Sequence, residues 1–128
     1  MNAPIWIVKE VAIAIHRRQL AEHGGAEGIR DMGLLESALF RPQNQFAYSD
    51  PNIFELAAAY SYGIANNHPF IDGNKRTSYV VMRTFLKLNG YDLRASVTEK
   101  YQIWMQLVND RLNEAELATW LEEKSIKI

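Results

Sequence analysis

Apolar positions recur at helical spacing along most of the chain and predict about six helices. Val8, Val11, Ala12 and Ile15 mark a first helix from about Ile7 to Glu22, closed by Gly24-Gly25. Asp31 suits an N-cap for a second helix through Leu34, Leu35, Ala38 and Leu39, with a stop expected at Arg41-Pro42. Pro42 to Asp50 is polar and aromatic without a clear period, and reads as a loop. Asp50-Pro51 then opens a third helix, a capping acid before a proline at the first helical position. Its face is Ile53, Leu56, Ala57, Tyr60 and Ile64, and its small residues Ala57-Ala58-Ala59 and Gly63 admit a close neighbour. Asn66-Asn67 suits its C-terminal cap.

A run from Ser78 to Leu88, apolar on more than one side through Val80, Val81, Met82, Phe85, Leu86 and Leu88, predicts a central buried helix ended by Asn89-Gly90. Ser96-Val97-Thr98-Glu99 and Asn113-Glu114-Ala115-Glu116 read as capping boxes. The first opens a helix with Val97, Tyr101, Trp104 and Val108 on its expected core face, the second one with Leu117, Trp120 and Leu121. No segment alternates convincingly as a strand. The expected fold is all-α, an irregular helical bundle in one domain over residues 1–128.

Between the third and fourth helices lies His68-Pro69-Phe70-Ile71-Asp72-Gly73-Asn74-Lys75-Arg76-Thr77. Gly73-Asn74 reads as the end of a loop and the start of a helix, whose free N–H groups and partial positive charge suit an anion, phosphate above all. Gly73 lets a ligand approach the backbone closely. Asp72 offers hard oxygen to Mg²⁺, which takes one or two carboxylates plus phosphate oxygens. His68 takes a proton near neutral pH, and Phe70 most simply plugs into the core to hold the loop. Lys75 and Arg76 sit where cations cost roughly 0.3–1 kcal/mol each, a local conflict of the kind that marks functional sites. From the residues alone, a phosphate site and a solvated loop stand about level. His16 and His23 have no cysteine or acid cluster around them and read as structural or surface histidines. Arg83 reads as exposed or salt-bridged.

A net charge of −1 gives no global field for nucleic acid. The absence of cysteine excludes disulfides and cysteine-based zinc sites and fits a reducing compartment. No apolar run reaches the length of a membrane span, and the N-terminus lacks a signal-peptide pattern. A cytoplasmic protein is expected.

The ten-residue loop resembles the signature of the Fic/Doc superfamily in its death-on-curing branch. The wider resemblance runs from about Ile15 through Tyr91, including Gly24-Gly25, Gly28-Ile29-Arg30-Asp31, Gly33-Leu34-Leu35-Glu36-Ser37-Ala38 and Arg41-Pro42. It implies that His68 deprotonates an attacking protein hydroxyl, Asp72 binds Mg²⁺, Gly73, Asn74 and the first helical N–H groups form an anion hole, and Arg76 clamps a phosphate of ATP. Fic proteins commonly move AMP to a protein hydroxyl. Here Lys75 replaces their second glycine and Tyr79 their final arginine, both departures resembling the death-on-curing toxins. Those toxins phosphorylate elongation factor Tu with the γ-phosphate of ATP, whereas Gly73 keeps the AMP-transfer type of anion hole. A catalytically silent binding protein is a third reading.

In similar proteins the segment before the paired motif helices forms a flap that aligns the target, which is one reading of Pro42 to Asp50; a plain connecting loop is the other. Thr119-Trp120-Leu121-Glu122-Glu123-Lys124 approaches a self-inhibitory helix pattern but fails at its last position, so control by a separate Phd-like antitoxin is expected.

Overall fold

The computed structural model describes residues 2–128: six helices, α1 (Lys9–His23), α2 (Met32–Tyr48), α3 (Ile53–Asn67), α4 (Asn74–Leu88), α5 (Val97–Val108) and α6 (Glu114–Lys124), and two short strands, β1 (Tyr91–Leu93) and β2 (Ser125–Lys127). The all-α bundle expected from the periodicity is the fold observed.

The most deeply buried helix is α3, whose Leu56, Ala57, Ala58, Ala59, Tyr60 and Ile64 are fully enclosed. Packing α2, α4 and α6 around one helix requires small residues on it. At Gly63 an added Cβ would lie 3.3 Å from the Cα, Cβ and carbonyl oxygen of Ala38, so α2 and α3 meet backbone to backbone there. Helix α4 is more one-sided than its apolar run suggests: Val81, Met82, Phe85 and Leu86 are buried, while Val80 is half-buried and Leu88 exposed. The segment before α1 also joins the core, because Ile7 is buried and its N–H donates to the Tyr60 hydroxyl at 2.9 Å. Val8, the N-cap, is extended, so the helix starts at Lys9 rather than at Ile7.

Three boundaries differ from the sequence reading. The stop expected at Arg41-Pro42 does not occur, and α2 continues through Pro42 to Tyr48, so the segment read as a loop is mostly helix. An interior proline costs a helix about 3 kcal/mol, and tertiary contacts offset it. Pro42 is buried, Arg41 pairs with Glu114, Gln45 donates to Glu114 at 3.1 Å, and Phe46 meets Trp6 edge-on at 5.7 Å. The cap of α3 is Asn52 in a capping box with Glu55, two residues beyond Asp50. Its other end is capped by His68 itself, in left-handed backbone, not by the asparagines before it.

The last third brings two more corrections. β1 and β2 pair antiparallel, with Tyr91 opposite Lys127 and Leu93 opposite Ser125. Three-residue strands are too short to leave an alternation signal. Both capping boxes form as read, at Ser96–Glu99 and Asn113–Glu116. The buried face of α5 is Ile103 and Leu107, however, while Val97 and Tyr101 are 86% and 61% exposed. On α6, Leu117 and Leu121 are buried and Trp120 is half-buried, as expected of a helix docked on α3. Glu122 of α6 receives a hydrogen bond from Asn52, at the opposite end of α3 from His68. Among the described residues, no helix is long and apolar enough to cross a membrane.

Candidate active site

The chain leaves α3 through His68, at φ 49° and ψ 54°. A non-glycine residue in this region is strained by about 1–3 kcal/mol and persists only where its surroundings hold it. Those surroundings come largely from the segment after α1. Arg30 donates from Nε to the His68 carbonyl at 2.7 Å and from a terminal nitrogen to the Asn67 carbonyl at 2.8 Å. The N–H groups of Arg30 and Asp31 both reach the Pro69 carbonyl, at 2.7 and 3.0 Å, and Ile71 N–H donates to Gly28 O at 3.1 Å. Ile29 and Phe70 thereby form a short antiparallel bridge.

From the other side, the Asn74 side chain closes the loop on itself. Its Oδ1 accepts from Phe70 N–H and its Nδ2 donates to Phe70 O, both at 2.9 Å. The Phe70 ring is 1% exposed and stacks on the His16 ring. Phe70 is therefore the core plug read from the sequence. The Asn74 side chain is committed to the loop, leaving its backbone N–H free to face an anion.

The loop and the first turn of α4 line a cleft of about 430 Å³, closed on one side by Trp104 and Val108 of α5 and on another by His23 and Gly24. The exposed His68 faces it, together with Asp72, Gly73, Lys75 and Arg76. Gly73, at φ 76°, is the N-cap of α4, and no side chain covers the first N–H groups of the helix. An alanine there would be strained by its φ. The Asp72 carboxylate accepts from Gly73 N–H at 2.9 Å and from Ala26 N–H at 3.2 Å. An added Cβ on Gly25 would stand 2.9 Å from that carboxylate, so glycine is what lets the α1 segment approach it.

The two cations differ. Arg76 lies over the Trp104 ring, 5.5 Å from its centroid, and has no carboxylate partner among the described residues. Lys75 is already engaged: its ammonium donates to Val108 O at 2.7 Å and pairs with Asp110 at 3.1 Å. Tyr79, one turn further on, packs edge-on against Trp104 at 6.1 Å, behind the cleft wall. Its hydroxyl is buried without a hydrogen-bond partner, and burial raises its pKa. Tyr79 thus stands outside the cleft lining.

Among the described residues, no group of three or more His, Cys, Asp or Glu side chains could hold a metal ion alone. The lone Asp72 carboxylate at the rim fits only an ion that brings most of its ligands as water and phosphate oxygen, as Mg²⁺ does. Residues missed in the sequence are the braces: Arg30, which shows no periodicity and stood out only within a family-like string, and Trp104, read as core although it walls the cleft.

A histidine in left-handed backbone, a helix start without a side-chain cap and a guanidinium without a carboxylate partner thus meet at one cleft, an arrangement whose chemistry suits an anion. The Fic/DOC family model matches residues 6–86, and the chain belongs to that family. It is 43% identical over 74 residues to Toxin Doc of Mycolicibacterium smegmatis, covering 56% of this chain and 57% of that protein. It is 36% identical over 85 residues to Protein kinase doc of Escherichia phage P1, covering 66% of this chain and 68% of that protein. With Protein adenylyltransferase Fic of Drosophila ananassae the identity is 34% over 86 residues, 65% of this chain but 17% of the relative. The superfamily resemblance read from the loop is borne out, and two of these relatives are Doc proteins.

Proposed function

We propose that this chain is a Doc-like toxin that transfers the γ-phosphate of ATP to a hydroxyl of a target protein and so blocks translation. Elongation factor Tu is the target class that the family resemblance points to. In this reading His68 removes the hydroxyl proton as the oxygen forms its bond to the γ-phosphorus. The bond from that phosphorus to the β–γ bridging oxygen breaks, and ADP leaves. The N–H groups of Asn74, Lys75 and Arg76 and the Arg76 guanidinium stabilise the charge that builds on the phosphoryl oxygens, usually the largest catalytic term. Asp72 would hold Mg²⁺, which supplies charge neutralisation of the polyphosphate. Phe70 positions the loop.

The observation that carries γ- over α-transfer is that the cleft offers one unpaired guanidinium, Arg76, with no second cation at position 79, where Tyr79 is turned against Trp104. A polyphosphate laid across the site in the AMP-transfer sense lacks its distal grip. The higher identity to the Doc relatives supports the same reading.

AMP transfer is the second reading, favoured by one feature, the glycine at position 73 that opens the anion hole. The test supplies ATP labelled on the α- or the γ-phosphate to the purified protein and a cell lysate. Protein label from γ alone, with ADP released, supports the kinase reading. Label from α, with pyrophosphate released, overturns it in favour of AMP transfer, and no label from either favours a non-catalytic binding protein. A separate antitoxin chain of the Phd type, with a tail that folds on binding, is the partner this reading requires.

A further inference from the structure

Helix α1 carries a buried histidine for which the transfer chemistry has no use. His16 is 3% exposed, its ring lies flat on Phe70 with centroids 3.8 Å apart and planes 6° apart, and its Nε2 is 2.8 Å from the Asp72 carbonyl oxygen. A carbonyl oxygen can only accept, so Nε2 carries a proton. Among the described residues this is the one side-chain hydrogen bond from α1 to the active loop.

The peptide plane transmits that contact. The Asp72 carbonyl and the Gly73 N–H belong to one planar unit, so fixing the carbonyl fixes the direction of the N–H. That N–H is the donor to Asp72 Oδ1 at 2.9 Å. Gly73 faces the imidazole with no side chain between them, since a Cβ there would stand 3.8 Å from His16 Cδ2 and Nε2. One ring therefore acts on the Phe70 plug, the Asp72 carboxylate and the glycine cap of α4 together.

We propose that His16 is a positioning residue that sets the aim of the Asp72 carboxylate and the backbone of the anion cradle from beneath the loop; this rests on the function proposed above. Histidine suits the task because it joins a flat face for Phe70 to an N–H at its edge. Phenylalanine keeps the face and loses the donor. Glutamine restores a donor at about the reach of Nε2 and loses the face.

The test compares His16→Phe and His16→Gln with wild type in three measurements: thermal midpoint, amide exchange over Ile71–Lys75 in the free protein, and Mg²⁺-dependent ATP binding by calorimetry. We expect His16→Phe to fold, to exchange its Gly73 and Asn74 amides faster, and to need about 10–100-fold more Mg²⁺, the usual cost of losing an outer support of a metal ligand. His16→Gln should recover most of that loss. Unchanged exchange and Mg²⁺ dependence in His16→Phe would overturn the proposal, as would a glutamine variant no better than phenylalanine. If His16→Phe fails to fold, His16→Gln against the shorter His16→Asn gives the same comparison. A wild-type protein that binds no Mg·ATP would overturn the function instead, and the exchange measurement would still decide the role of His16.

Discussion

Lys75 of α4 pairs with Asp110 just beyond α5, Nζ to Oδ1 at 3.1 Å, while donating to the Val108 carbonyl at 2.7 Å. The cation read as a phosphate ligand is thus also the tie that holds the wall of the cleft. The Asp110 side chain is 78% exposed, so water screens the pair, and an exposed pair is worth about 0.2–1 kcal/mol. A phosphate arriving beside Lys75 competes with this weak pair and with the Val108 hydrogen bond. Asp110→Asn should therefore strengthen ATP binding by a factor of about 1.5–5, and Lys75→Ala should weaken it. If calorimetry finds Asp110→Asn neutral and Lys75→Ala without effect on ATP, Lys75 is a tie only.

His68 combines exposure, strain and position beside the anion cradle. Its side chain makes no hydrogen bond among the described residues, so removing it costs the fold little. Asparagine tolerates left-handed backbone better than most residues. We expect His68→Asn to match or exceed wild-type stability and to lose about 10²–10⁴-fold in transfer rate. In cells, expression of the wild-type chain without an antitoxin should arrest growth, and the variant should relieve the arrest. Growth unaffected by an active wild-type protein would count against the toxin reading.

Most of the helices and the loop were legible because they depend on local pattern: Ile53, Leu56, Tyr60 and Ile64 recur on one face, and Ser96–Glu99 is a four-residue rule. What was illegible depends on contacts distant in sequence. Pro42 stays helical because Arg41 and Gln45 meet Glu114, some seventy residues on. Similarly, Arg30 matters through two carbonyls almost forty residues away. The pattern names Asn74 as part of an anion hole but not which of its atoms is free, and a contact four residues back takes its side chain. Trp104 was read as core from its chemistry, but α5 leaves one edge of it open to the cleft.

The far end of α5 is held by charge, which makes it sensitive to pH. Glu99 pairs with Lys124 and caps Ser96 N–H at 2.9 Å, and these bonds, that to Lys124 first, hold its carboxyl down at about 2 against an ordinary 4.5. A depressed folded-state pKa means stability that is present above 4.5 and is lost as pH falls from there toward 2. Glu99→Gln should lower the thermal midpoint at neutral pH and converge with wild type through that acid window. High salt should shrink the neutral-pH difference, because the pair is partly exposed. A difference that stays constant down to the acid limit would mean that capping geometry, not charge, holds α5.

Replacing Gly73 by alanine tests the two proposed transfer chemistries at the level of one atom. Its φ of 76° suits glycine, and an added Cβ would meet Leu20 Cδ2 at 3.4 Å, an ordinary contact, so Gly73→Ala is strained by its backbone rather than by crowding. The cost should be about 1–2 kcal/mol, small enough for a folded protein to be tested. The methyl group would lie against Leu20 and the His16 ring, beneath the loop, and so act on the anion cradle only through the backbone of the α4 cap. If the γ-phosphate reacts and is gripped by Arg76 and the later N–H groups, the variant should keep the greater part of its transfer rate after correction for folded fraction. If the α-phosphate instead depends on the exact backbone of the glycine cap, the rate should fall by a hundredfold or more, about the loss seen when one donor of an anion hole is removed. The measurement is single-turnover transfer at saturating ATP, alongside the thermal midpoint. A collapse of the rate with an intact fold would sink the single-guanidinium argument for γ-transfer and make the glycine the residue on which the chemistry turns.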